Sequence, residues 1–258
     1  MMISWSEFVY FACAAVILWF AGAAAAWKKS PKSALGLSLT GLCVYTAFII
    51  GLWLSLDRPP MRTLGETRLW YSFFMAISGL VVYARWRYRW IMLFSAVLAT
   101  VFICLNIFMP QIHDQTLPPA LQSGWFVPHV TVYMFSYSVV GCAVIMSVAG
   151  LIQKTDRYLV SVDSLLYIGT AFLTLGMLSG ALWAKAAWGM YWSWDPKETW
   201  AAITWCICLG YIHLRLRGQK SRKAAYILVI LAFIGLQMCW YGVSWLPSAQ
   251  ESMHVYGQ

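Results

Sequence analysis

Residues 188–200 read WGMYWSWDPKETW, and whether they lie at a membrane edge decides the fold. Four tryptophans and a tyrosine share this stretch with a DPKE tetrapeptide. Trp and Tyr gather where lipid meets water, because each has an apolar body and a polar tip. A belt of that kind accounts for one or two of these aromatics. It does not account for Trp188, Tyr191 and Trp192, whose i, i+3, i+4 spacing would put them on one face of a helical turn, with Trp194 and Trp200 beyond. The DPKE piece carries its own signal. Asp195 suits an N-cap, Pro196 the first helical position and Glu198 the third, so a helix is expected to begin here. Lys197 is then expected in water or among lipid headgroups. Such a cap would fix a flat aromatic shelf to a helix start.

On either side the chain is apolar. Of its 258 residues 61% are hydrophobic and 10% charged, where a soluble domain carries about 25% charged residues. Apolar runs cover roughly 6–26, 34–56, 69–84, 90–109, 130–152, 163–184, 199–216 and 223–244. Each is read as a helix crossing the ~30 Å hydrocarbon core, the third being the shortest. The expectation is an all-α polytopic integral membrane protein with about eight transmembrane helices, in a single domain over residues 1–258. The first run lacks a basic leader and a cleavage site, so no cleavable signal is expected.

The net charge of +9 acquires meaning once the 18 Lys and Arg are placed between spans. Thirteen fall on one side: Lys28, Lys29 and Lys32; Arg85, Arg87 and Arg89; Lys154 and Arg157; and Arg215, Arg217, Lys220, Arg222 and Lys223. Only Arg58, Arg62, Arg68, Lys185 and Lys197 fall on the other. Basic loops stay cytoplasmic. Both termini are therefore expected outside, together with residues 57–68, 110–129 and 185–198. The basic excess is a topology signal, and nucleic-acid binding is not needed to explain it.

Cys13, Cys43, Cys104, Cys142, Cys206, Cys208 and Cys239 all lie in apolar runs and form no CxxC pair. They read as small helix residues, not as thiol exchangers. A rigid aromatic shelf suits a large, flat, apolar ligand. A metal porphyrin would also need axial ligands, most often histidine. His129, in WFVPHVTVYMFSYS, sits at the mouth of the fifth span, and His254, in ESMHVYGQ, lies in the tail. Both belong to the expected outer face. Two neutral imidazoles from opposite sides would ligate one iron; the plainer alternative is two unrelated interfacial histidines. His113, in PQIHDQT, reads as a solvated loop histidine. His213 lies fourteen residues past Thr199, about 21 Å along a helix, deep towards the cytoplasmic side. Ionisable groups at such depth are costly and mark functional sites. No other histidine shares that depth, so an iron held there would take its second ligand from another chain, from water or from a different residue type. The plainer alternative is a neutral histidine bonded to a neighbouring helix.

WGMYWSWDPKETW resembles the tryptophan-rich "WWD" signature of haem-handling membrane proteins, a group that includes CcmC, CcmF and CcsA, also called ResC. The continuation DPKETW, then ITW and YIHLRLR, is similar to the CcsA branch, as are ALQSGWFVPHV and the terminal HVYG. The tail reads MHVYG where that family usually has LHSYG. The resemblance is strongest over residues 120–258, and the first four spans match in layout only.

The resemblance implies cytochrome c biogenesis by the system II route. CcsA and its partner CcsB (ResB) move haem across the membrane and attach it covalently to apocytochrome c. His129 and His254 would correspond to the outer axial ligands of haem b. Trp188, Tyr191, Trp192, Trp194 and Asp195 would form the haem-contacting loop. His213 would ligate an intramembrane haem whose other ligand lies in CcsB. The chain would then be the thioether-forming subunit of a holocytochrome c synthase. Its membrane would be a bacterial inner membrane, with the loop on the periplasmic face, or a thylakoid. The apocytochrome would present a CxxCH segment, and the chain's contribution would be positioning; no residue is assigned a further catalytic role. The alternative is a CcmC-like exporter or chaperone that delivers haem without forming thioethers. A b-type cytochrome is disfavoured, because only His213 lies well inside a span.

Overall fold

The computed structural model describes residues 3–113, 123–218, 221–247 and 252–253. They form eight α-helices: α1 Phe8–Trp27, α2 Pro31–Leu56, α3 Leu64–Trp86, α4 Arg89–Phe108, α5 Phe126–Ile152, α6 Leu159–Trp188, α7 Pro196–Leu216 and α8 Arg222–Trp240. Each overlaps one expected span, and the described residues contain no strand. Six are long and apolar enough to cross a membrane; α3 and α7 are long enough but more polar. The chain is an all-α polytopic membrane protein.

The boundaries shift for local reasons. Helix α3 starts at Leu64 rather than near 69, because Thr63 and Glu66 form a capping box. The Glu66 N–H donates to Thr63 Oγ1 at 3.1 Å, and the Thr63 N–H to Glu66 Oε2 at 3.1 Å. Two orphan donors of the first turn are thereby satisfied. Helix α6 runs past residue 184 to Trp188, where Gly189 adopts φ 82° and donates to the Lys185 carbonyl. A left-handed residue there ends a helix, and glycine adopts it without strain. At 30 residues, α6 is about 45 Å long, so part of it projects beyond a hydrocarbon core of ~30 Å.

The chain divides into two compact units, Met1–Thr116 and Leu117–Gln258. In the first, α1 and α3 each pack on α2 and α4. In the second, α5 and α7 each pack on α6 and α8. Lipid is as apolar as leucine, so helices in a membrane associate by close packing and hydrogen bonds. Phe8, Tyr45 and Phe48 fill the first unit, with the Phe8 and Phe48 ring centres 5.0 Å apart. Tyr211, Tyr226, Met146 and Leu166 fill the second. There the Ser136 hydroxyl donates to the Gly169 carbonyl at 2.8 Å, joining α5 to α6. Arg215 grips Asp163 through Nε and Nη2 at 2.7 and 2.8 Å, joining α7 to α6.

Candidate functional site

Helix α5 begins three residues before His129. Pro128 stands in its first turn, where a missing N–H costs nothing. His129 packs against α6. Its Nδ1 lies 2.9 Å from the Gly176 carbonyl oxygen. Its ring stacks on Trp183, with centres 5.4 Å apart and planes inclined 23°, and meets Tyr133 edge-on at 4.7 Å. Gly180 makes this approach feasible: a Cβ there would sit 2.7 Å from His129 Cε1. A carbonyl can only accept, so Nδ1 carries the proton and the lone pair lies on Nε2. A hydrogen bond of this kind orients metal-ligating histidines.

His129 lines a cavity of about 100 Å³. Helices α5 and α6 supply His129, Gly180 and Trp183; the loop and α7 supply Trp192, Lys197 and Glu198. A porphyrin macrocycle is several times larger than this space. The cavity therefore admits an edge or a substituent of such a ligand, and the rest would lie on the exposed aromatic surface.

That surface is not the helical face expected from spacing. Gly189 ends α6, so Trp188, Tyr191 and Trp192 do not share a helical turn. Trp188 closes edge-on against Trp183 at 4.7 Å. Tyr191 is exposed, with the Lys185 ammonium 5.4 Å from its ring centre. Trp194 is 70% exposed and has φ 60°, while Trp192 turns inward to the cavity. The Trp192 indole N–H is buried and finds no acceptor among the described residues.

The expected helix start is present. The Asp195 carboxylate accepts the Lys197 N–H at 2.9 Å, and Glu198 returns to accept the Asp195 N–H at 3.2 Å. Glu198 Oε2 also accepts the Ser193 N–H at 2.8 Å. Asp195 does more than cap. It accepts the Met253 N–H at 2.7 Å and the Ser252 hydroxyl at 3.1 Å, holding the tail against α7. His254 lies outside the described residues. Lys197 is half-buried and lines the cavity instead of standing in water. It precedes the apolar residues of α7, and burial pushes its pKa below the usual lysine value.

His213 is exposed on α7, fifteen residues beyond Glu198 and hence about 22 Å along the helix from the cavity. The structure thus brings His129, Trp192 and the Asp195 cap together and leaves His213 elsewhere. Sequence reasoning missed Trp183, Tyr133 and Cys239 as cavity residues. Tyr133, four residues after His129, was readable as its helical neighbour. Trp183 and Cys239 arrive only through packing.

Residues 62–250 match the model of the cytochrome c assembly protein family. With most of the chain covered, the chain belongs to that family. Among its relatives, the cytochrome c biogenesis protein CcsA of Chlorella vulgaris is 33% identical over 283 residues, covering 89% of this chain and 88% of the relative. CcsA of Pelargonium hortorum is 28% identical over 278 residues, covering 88% and 86%. CcsA of Chlamydomonas reinhardtii is 38% identical over 183 residues, covering 63% of this chain and 51% of the relative, about half its length. The similarity reaches well in front of residue 120, into the first unit.

Proposed function

We propose that the chain handles haem in cytochrome c biogenesis and, with a CcsB-type partner, joins it to apocytochrome c. The observation that carries this reading is the His129 site. A histidine held through Nδ1 to the Gly176 carbonyl stands beside Trp183 and Trp192, and Asp195 ties down the residues just before His254. Haem b is the cargo, with iron ligated by His129 and His254 on the outer side of the membrane. The exposed Tyr191 and Trp194 offer aromatic surface to its faces. Eight helices span the bilayer with both termini outside, consistent with the placement of the basic residues.

In the attachment step each thiol of a CxxCH segment adds across one haem vinyl. A C–S bond forms, the thiol proton ends on the other vinyl carbon, and no leaving group or electron departs. The apocytochrome histidine then replaces an axial ligand and frees the product. The chain's share is to hold the reactants in register. His213, exposed at depth on α7, is the ligand of an earlier intramembrane haem that the partner completes. Lipid outside the partner-bound state would otherwise meet an ionisable group.

The test is a visible spectrum and pyridine haemochrome of the purified chain, alone and with its partner, for wild type, His129→Ala and His254→Ala. The expected result is a b-type haem that either substitution depletes and added imidazole restores. Undiminished haem in both variants overturns the ligand assignment.

A further inference from the structure

Inside the first unit lies a smaller cavity, of about 10 Å³. All four helices of the unit line it: α1 gives Trp19, α2 Ser38, α3 Ala76, and α4 Ser95 and Ala96. Trp19, Ser38 and Ser95 stand six to eight residues from the helix ends at Trp27, Pro31 and Arg89, about 9–12 Å in from those ends. Helix α1, at 20 residues, just spans a ~30 Å hydrocarbon core, so lipid surrounds the unit at this depth. Trp19 is 3% exposed and Ser38 4%. The Trp19 indole Nε1 and the Ser38 Oγ both find no hydrogen-bond partner among the described residues. Packing holds them so. Gly41 of α2 admits the Trp19 ring: a Cβ there would sit 2.8 Å from Nε1. Gly22 of α1 receives Ser38 Oγ in the same way. A glycine Cα offers no acceptor on that side. Ser95 differs, because its hydroxyl donates to the Met92 carbonyl at 3.2 Å and its oxygen can still accept. A buried polar group without a partner is costly, and most so within hydrocarbon.

The cavity thus combines a donor, the Trp19 N–H; a group that can donate or accept, the Ser38 hydroxyl; and an acceptor, Ser95 Oγ. The rest of its lining is apolar and uncharged. That excludes an ion: a cation would face the indole N–H, and an anion would be buried without a countercharge. The volume excludes an organic molecule, since about 10–15 Å³ is what the centre of one water needs. We propose that the cavity is a binding site for a single water molecule, which accepts the Trp19 N–H and donates to Ser38 Oγ and Ser95 Oγ. Three bonds are what a buried water typically makes. The water bridges α1, α2 and α4 where the Trp19 and Ser38 side chains make no direct bond to one another. Helices in lipid have no hydrophobic drive to associate, so such a bridge supplies cohesion that apolar contact does not. The proposal is independent of the haem reading, because the first unit contains neither His129 nor Trp192.

The test is nuclear magnetic resonance on the full chain in deuterated detergent, perdeuterated except at its exchangeable protons. Trp19→Phe identifies the Trp19 indole signal, and rotating-frame spectra then read its contact with water. The wild type is expected to show a dipolar cross-peak between the Trp19 N–H and the water line. Ala96→Val and Ala76→Val each fill the cavity from a different wall and leave every hydroxyl in place, and each should remove that cross-peak. Ser78→Ala should keep it. Ser78 Oγ on α3 is also buried without a partner among the described residues, but Ser78 lies outside the cavity lining. The signals of the other tryptophans report in every variant that the fold is intact. A wild type without the cross-peak overturns the site. So does a cross-peak of the opposite sign, because the proton then exchanges with solvent instead of touching a held water. A cross-peak that outlasts the filling substitutions also overturns it, because its source is then a serine hydroxyl in exchange with water. One that Ser78→Ala removes belongs to another place in the unit and overturns it likewise.

Discussion

The first unit stacks His113 on Trp5, with ring centres 3.8 Å apart and planes 6° from parallel; the second stacks His129 on Trp183 at 5.4 Å and 23°. Each unit also starts its third helix with a capping box built on a buried glutamate, Glu66 in α3 and Glu198 in α7. The difference lies in what completes each arrangement. Glu66 is gripped by Arg58 through two nitrogens at 3.0 and 2.9 Å. His113 is pressed against Gly65, where a Cβ would sit 2.7 Å from its ring. In the second unit the cap carboxylate of Asp195 reaches out to residues 252 and 253, and His129 opens onto a cavity. One helix start serves as a structural lock. The other joins the loop, the tail and the helix that lines the cavity beside His129.

The sharpest way to break this contrast is to exchange its histidines for alanine. His129→Ala should lose most of its bound haem by pyridine haemochrome and regain it with imidazole. His113→Ala should keep its haem and melt at a lower temperature. Equal haem loss from both would erase the distinction between lock and site. Next in size, Arg58→Ala strands a glutamate that is only 1% exposed. A broken buried pair costs ~3–5 kcal/mol. Because the Arg58 side chain is 24% exposed, about 2 kcal/mol is expected from denaturant titration in detergent. Lysine should recover less than half of that, since it cannot make the two-pronged contact.

Asp195→Ala should cost about 1 kcal/mol as a lost N-cap and should also free the tail, seen as faster hydrogen exchange at the Met253 amide. A lower haem occupancy is expected with it, whereas a capping change in α3 should leave haem unchanged. The smallest effect belongs to Ser193→Ala. Its hydroxyl lies 3.3 Å from Glu198 Oε2, but its backbone N–H keeps the shorter bond at 2.8 Å. Less than about 0.5 kcal/mol is expected by the same titration.

Much of this was legible in the sequence. Hydropathy located the eight helices of the described residues, because six are apolar over a length that crosses lipid and α3 and α7 carry shorter apolar runs. The α7 start was readable residue by residue, since capping is local chemistry: Asp195, Pro196 and Glu198 occupy the positions their types favour. Spacing misled where one residue overrode the period. Gly189 ends α6, so aromatics three and four positions apart are not stacked on one face. Tertiary packing hid the rest. His113 looked solvated because its neighbours in sequence are polar, yet Trp5 from the far end of the unit covers it. Lys197 looked solvated for the same reason, and Cys239 reaches the cavity only because α8 packs on α7. The two units share a packing order without a visible sequence repeat, since helix contacts depend on shape more than on identity.

The link between Asp195 and Met253 joins positions 58 residues apart. The ribosome makes residues 252 and 253 after all eight helices. A nascent chain can thus insert and pack its bundle while the carboxylate at the start of α7 still waits for two of its donors. The bonds from the tail to Asp195 are therefore among the last that synthesis makes available. A chain halted just after α8 would carry all eight helices and lack two of the bonds made to the start of α7.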